Sequence, residues 1–300
     1  APVNVLVKIA GDHGLSGVAL GQIRRTTHVI LLGLLLATVA PLRKLTGAKM
    51  PPAKSAIWAM GIGALLFAPS HILYYTSMKL TTSIDGTVLL TTAPLWTTLL
   101  SFFVLKETIT KRRVWALALA MSGAYVVSYG FKAPNLSSNA VGNLMFFSGV
   151  FIECLGGAFA TKLARQSSGI AILWFQLLGA VPVMWIAPSL VPSLEVVRTP
   201  DMAAIGTIAY LVIVCGLITF SAWYVLVERA PLSLMVLALP VQPPISAFLA
   251  YLNNEALRWE MLWGTVIIVL ALVVGFGDSG KKKTGKEDHP SPVPEPAGPA

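Results

Sequence analysis

From residue 16 to residue 277 the chain is a train of apolar runs, each separated from the next by a few polar residues. A helix rises about 1.5 Å per residue, so roughly 20 apolar residues carry it across the hydrocarbon core of a bilayer. The runs fall at 16–40, 55–78, 83–105, 113–131, 140–163, 169–188, 204–227, 231–252 and 260–277, and most have that length. A shorter run at 1–10 precedes them and reads as the tail of one more helix that begins upstream of Ala1. The spacing therefore predicts an all-α polytopic membrane protein of ten transmembrane helices, the first incomplete. Composition agrees: 55% of the 300 residues are hydrophobic and 12% are charged, against roughly 25% charged in a soluble domain. No loop has room for a soluble domain. The tail, 278–300, is Lys-rich and then Pro-rich, with almost nothing to bury, and is expected to be disordered.

The net charge of +9 would point to nucleic acid in a soluble protein. Here the basic residues sit between apolar runs and in the tail, without interleaved aromatics, which excludes a nucleic-acid surface and fits loops beside membrane spans. With the N-terminus inside, the cytoplasmic segments hold fifteen Lys and Arg, among them Arg43, Lys44, Lys111, Arg112, Arg113, Arg165 and Lys281. The outer loops hold four: Lys79, Lys132, Arg198 and Arg258. That bias places both termini in the cytoplasm, with a plasma (inner) membrane as the expected location. Cys154 and Cys215 lie inside apolar runs and read as buried small hydrophobes.

The chain repeats. The segment PLWTTLLSFFVLKE, Pro94 to Glu107, is answered by PPISAFLAYLNNE, Pro243 to Glu255. Aligning Glu107 with Glu255, 148 positions on, places Ala116 on Gly264 and Gly123 on Ala271. Ser16-Gly17 falls on Ser168-Gly169 at an offset of 152. The copies are 1–131 and 132–277, five helices each. Five is odd, so the second copy is inverted in the membrane, an architecture in which two halves can rock about a shared midplane site.

An apolar helix, a proline, a dozen apolar residues, a glutamate, a short turn and a helix with spaced small residues resemble the EamA repeat of the drug/metabolite transporter superfamily. The two copies are YYTSMKLTTSIDGTVLLTTAPLWTTLLSFFVLKETITKRRVWALALAMSGAYVVSYG and WYVLVERAPLSLMVLALPVQPPISAFLAYLNNEALRWEMLWGTVIIVLALVVGFG. In the second copy Pro240, Pro243 and Pro244 all stand at other distances from their glutamate. The resemblance implies ten helices with both ends inside. It implies a central cavity lined by helices 1, 3, 4, 6, 8 and 9, with helices 5 and 10 peripheral. It also implies movement of a small metabolite, often export, with amino acids, nucleosides, sugars or drugs as substrates. The expected partners are that small molecule and the lipid bilayer; a homodimer is compatible with both.

Glu107 and Glu255 each sit where an apolar helix meets water and the next helix starts. With Pro94 they are expected to be structural corners, a carboxylate there capping backbone N–H groups and meeting a helix dipole; Glu107 has Lys111 nearby. Glu153 stands near the centre of the sixth run, where a charge costs roughly 2.5–3.5 kcal/mol and faces a cavity or a partner. It is either a proton-coupling or substrate-amine site, or half of a buried pair with Lys8 or His71. Lys8 either snorkels to the interface or meets an anionic substrate group. His71 combines a switchable charge with an equal case for packing. Tyr74, Tyr75, Trp223 and Tyr224 occupy matching places in the two copies, as interface anchors or as a binding wall. Gln242 and Gln176 are polar groups at depth. His28, and Arg24 and Arg25 at the outer end of their run, are expected to be structural or interfacial. Ala116, Ala120 and Ala124 form a small-residue stripe suited to close helix packing.

No HExxH, GxSxG or CxxC motif is present. The stretch GFGDSGK, Gly275 to Lys281, matches GxxxxGK by chance: Lys282 stands where Ser or Thr is required, and a membrane helix precedes it. A secondary transporter without cofactor or metal is the leading expectation. The alternatives are a membrane-embedded enzyme acting on lipid or lipid-linked substrates, which would need Asp, His or Ser clustered at one depth, and a non-transporting scaffold.

Overall fold

The computed structural model describes residues 17–78, 80, 81, 83–130, 139–190, 202–241, 244, 245 and 259–276, and every regular element among them is helical. Lys8, Gln242, Glu255 and the tail lie outside the described residues. In chain order the helices are α1 Gly17–Thr38, α2 Ala40–Thr46, α3 Ala53–Ser77, α4 Ser83–Leu90, α5 Ala93–Leu105, α6 Lys111–Tyr129, α7 Ala140–Gln166 and α8 Gly169–Leu190. They continue with α9, formed by Met202–Tyr210, Leu211–Ile218 and Thr219–Val227 end to end, then α10 Leu232–Val241 and α11 Trp259–Phe276. Stretches of α3, α7, α8 and α9 are long and apolar enough to cross a membrane.

The surface is the reverse of a soluble protein's. Trp58, Leu65, Phe103, Trp115, Leu144 and Trp263 are exposed, while Arg24, Arg25, His28 and His71 are buried. Contiguous apolar surface on this scale needs an apolar solvent, and the chain is an integral membrane protein.

One predicted helix is broken. The run 83–105 is not a single rod: it stops at Leu90, turns through Thr91-Thr92 and restarts as α5 with Pro94 in its first turn. Proline lacks an N–H, and its ring collides with the carbonyl four residues back, which here is that of Leu90. Two other helices keep their direction but change pitch. α3 contains a π segment at Gly63–Phe67 and α9 another at Leu211–Ile218.

Helices approach closely wherever side chains are small. Ala116, Ala120 and Ala124 are wholly buried, and Gly123 and Gly264 bring α6 and α11 backbone to backbone. A Cβ on Gly123 would stand 2.8 Å from the Gly264 carbonyl oxygen, and one on Gly264 would stand 2.6 Å from that of Gly123. α1 and α8 exchange side-chain hydrogen bonds: Gln22 Nε2 donates to the Met184 carbonyl at 2.9 Å, and Trp174 Nε1 to that of Val29 at 3.0 Å.

Glu107 follows α5 in the chain, but its oxygens serve another helix. Oε1 accepts from the Leu232 N–H at 2.8 Å and from Arg165 Nη2 at 2.6 Å. Oε2 accepts from the Ser233 N–H at 3.0 Å and from its hydroxyl at 2.7 Å. The carboxylate thus caps the start of α10, where free N–H groups and the helix dipole favour an anion. Its basic partner is Arg165, which also donates to the carbonyls of Val227 and Ala230. Burial alone would raise the Glu107 pKa; the bonds from Ser233, Arg165 and Leu232 together outweigh it and hold the group below the usual carboxylate value. A carboxylate with a lowered pKa stabilises the fold above its ordinary pKa and loses that contribution as the pH falls through the lowered one. Glu107→Gln should therefore cost about 1.5–3 kcal/mol at neutral pH, the range for hydrogen bonds to a charged group. In unfolding scans the gap from wild type should narrow towards pH 4; a constant gap would show that the ionised carboxylate is not what matters.

Candidate functional site

A cavity of about 300 Å³ opens where α3, α4, α5, α7, α8, α9 and α10 converge. Among the described residues, none of its lining comes from α6 or α11. The lining is mostly apolar, with Phe67, Phe220, Trp223 and Tyr224 as its aromatic part and Thr97, Glu153 and Gln176 among its polar groups. The break before Pro94 contributes directly, because Leu90 and Ala93 on either side of it face the cavity.

Glu153 projects from the middle of α7, and beside it Gly157 faces open space. His71 is not its partner. The imidazole Nδ1 lies 2.8 Å from the Phe67 carbonyl oxygen, to which it donates, and its Nε2 meets Arg25 Nη2. A guanidinium can only donate, so Nε2 is the acceptor and His71 holds its proton on Nδ1. In this arrangement His71 fixes Arg25 and does not carry a proton of its own to the cavity. The charge that Glu153 acts on through space is that of Arg25 and Arg24, although no ion pair within 4.0 Å joins them among the described residues.

Arg24 and Arg25 are therefore not interfacial. They are the eighth and ninth residues of α1, about 12 Å along its axis, and only 4% and 1% exposed. Arg24 Nε donates to the Leu211 carbonyl at 3.2 Å and Nη1 to the Tyr75 hydroxyl at 3.4 Å. The Arg25 guanidinium lies over two rings, 4.7 Å from the centroid of Phe67 and 4.8 Å from that of Phe220. Those rings meet edge to face at 89°. Each stands at or just after a π segment, and the carbonyls used by His71 and Arg24 belong to Phe67 and Leu211, inside those segments. A widened turn can offer a carbonyl to a second partner, which is why such turns recur at functional sites. Two adjacent arginines in the middle of a 22-residue apolar helix were the signal for this cluster in the sequence.

The two tyrosines differ. Tyr75 is buried against α1, where a Cβ on Gly21 would come within 2.4 Å of its ring, and it does not line the cavity. Tyr224 does line it and donates its hydroxyl proton to Gln176 Oε1. Tyr224→Phe leaves that buried amide oxygen without its donor and should cost about 1–3 kcal/mol, read as a fall in the unfolding midpoint; an unchanged midpoint would mean that the bond contributes nothing net.

Residues 11–129 match the EamA-like transporter family. The EamA match ends on the last residue of α6. Two curated relatives, both from Bacillus subtilis (strain 168), extend the likeness beyond that segment. "Uncharacterized transporter YyaM" is 20% identical, over 83% of this chain and 93% of its own. "Uncharacterized transporter YdfC" is 24% identical, over 75% and 73%. A solved crystal structure superposes with a TM-score of 0.71 at 19% identity, covering 93% of this chain and 95% of that one. The whole described chain therefore shares a known fold.

Proposed function

We propose that this protein is a secondary transporter that carries a small metabolite through the Glu153 cavity by alternating access of two inverted five-helix halves. The carrying observation is the cavity's position. Its walls come from α3–α5 of the first sequence copy and α7–α10 of the second, and they meet around one carboxylate at the middle of a membrane helix. The EamA match and the two relatives named as transporters support the same reading over an enzyme.

Several contacts fit an inverted repeat of 1–131 and 132–277. Arg24 and Gln176 are 152 positions apart, and each bonds the tyrosine at the equivalent place, Tyr75 or Tyr224. Gln22 and Trp174, also 152 apart, make the exchanged bonds between α1 and α8. The two π segments begin 148 positions apart. The Glu107–Arg165 clasp joins the end of the first copy's α5 to the second copy's α7 and α10, so it must open whenever the halves part on that side. By the loop charges this side is cytoplasmic, in a plasma (inner) membrane.

Purified protein in proteoliposomes, offered pooled radiolabelled amino acids, nucleosides, sugars and organic acids with and without a pH gradient, tests the reading. Uptake above empty vesicles is expected for at least one pool. No carriage of any pool in either direction would return the weight to the enzyme and scaffold readings.

A further inference from the structure

We infer that the transported species carries a single negative charge: an organic monocarboxylate with an apolar body, its carboxylate held by Arg25. This deepens the transport reading and rests on it. Arg25 is one side chain behind the cavity wall, against the Phe67 and Phe220 rings that form part of that wall. A guanidinium has five N–H donors. Among the described residues Arg25 uses one nitrogen, Nη2 on His71, while Nε and Nη1 are buried and have no partner. Leaving donors of a buried charge unmet costs several kcal/mol, and removing only one member of a buried pair is strongly destabilising. The two rings recover part of that through cation–π attraction. They supply no acceptor, and a carboxylate supplies two.

Charge balance selects the class. With Glu153 ionised, the described charges around the cavity are Arg24 and Arg25 against that carboxylate, an excess of one positive charge. Arg24 already has two acceptors. The buried carboxylate of Asp85 lies elsewhere, bound by the Tyr129 hydroxyl at 2.6 Å. A monoanion brings the group to neutrality. A zwitterion leaves the excess in place, a cation doubles it, and a phosphate dianion reverses it. The apolar remainder of the wall, with Val150, Trp223 and Leu239, suits a hydrocarbon body. Gln176, part of the cavity wall, likewise has a buried donor, Nε2, without a partner. Access requires one of the two rings to move, and both stand at or beside a π segment, where the helix can change register locally.

The test is equilibrium binding of radiolabelled 4-methylpentanoate to the purified full chain, with competition by leucine, 3-methylbutylamine and 3-methylbutyl phosphate. The four probes share one branched hydrocarbon body and differ mainly in charge. 4-Methylpentanoate is expected to bind at least tenfold more tightly than leucine or the phosphate, and the amine should not compete. The wild-type rank order needs no variant. Arg25→Gln should weaken carboxylate binding at least 30-fold, and Arg25→Lys, which keeps the charge, should weaken it less. Tighter binding of any competitor, no binding of the carboxylate, or an unchanged affinity in a folded Arg25→Gln protein would each overturn the assignment. If another pool is carried while the carboxylate does not bind, the substrate class fails and transport stands. If the carboxylate binds and no pool is carried, the transport reading fails instead.

Discussion

Glu153→Gln is expected to reduce gradient-driven uptake at least tenfold while leaving the amount of folded protein unchanged. The substitution keeps the side chain's shape and one carbonyl acceptor and removes the negative charge and the ability to exchange a proton. Glu153 faces the cavity from the centre of α7, without an ion pair within 4.0 Å among the described residues. A carboxylate there is costly to insert and persists where it meets a mobile partner such as a proton or a ligand. If Glu153 couples transport to protons, the glutamine variant should still exchange substrate between equal pools across the membrane and should no longer respond to a pH gradient. Cys154→Ala supplies the control, because Cys154 lines the same cavity one residue away and its thiol bonds are weak, the one to the Ala93 carbonyl being 3.6 Å long. Cys154→Ala should transport as wild type does. Gradient-driven uptake by Glu153→Gln equal to that of wild type would remove the carboxylate from coupling.

The helices were legible because membrane thickness fixes their length: the runs at 140–163, 169–188 and 204–227 became helices with ends displaced by at most three residues. The depth of Glu153 followed from the same count. Four features were not legible, each because its cause is non-local or below the resolution of apolar counting. Pro94 was visible, but its breaking of the run 83–105 was overridden by the unbroken hydrophobicity around it. Arg24 and Arg25, at the outer end of their run, left a structural and an interfacial reading open, and packing of α1 against α3, α8 and α9 encloses them. Glu107 was expected to cap the helix that follows it in the chain, but the helix whose N–H groups it accepts from begins 125 residues later, and nothing in the local sequence names that partner. The π segments have no compositional signature at all; Gly63–Phe67 and Leu211–Ile218 read as ordinary apolar helix.

Among the described residues, Gly63→Ala and Gly179→Ala should be among the most damaging methyl additions, each lowering stability by about 3 kcal/mol, the upper part of the range for overpacking. They mark the crossing of α3 and α8. A Cβ on Gly63 would lie 1.9 Å from the Gln176 carbonyl oxygen, and one on Gly179 would lie 2.0 Å from that of Met60. Both obstacles are backbone atoms inside helices, so no rotamer change relieves them and the two helices must separate. Separation displaces the cavity too, because Gly63 opens the π segment that ends at Phe67, and Gln176 is itself part of the wall. Loss of uptake should therefore accompany loss of stability. Gly61→Ala is the matched comparison: it lies two residues away on α3, and its Cβ would meet nothing within 4 Å. Alanine there should be neutral or stabilise by up to about 1 kcal/mol through helix propensity alone. Thermal unfolding of the three variants in one detergent separates the cases. Equal midpoints for Gly61→Ala and Gly63→Ala would mean that α3 and α8 do not touch through these glycines, and the convergence of helices that forms the cavity would have to be drawn differently.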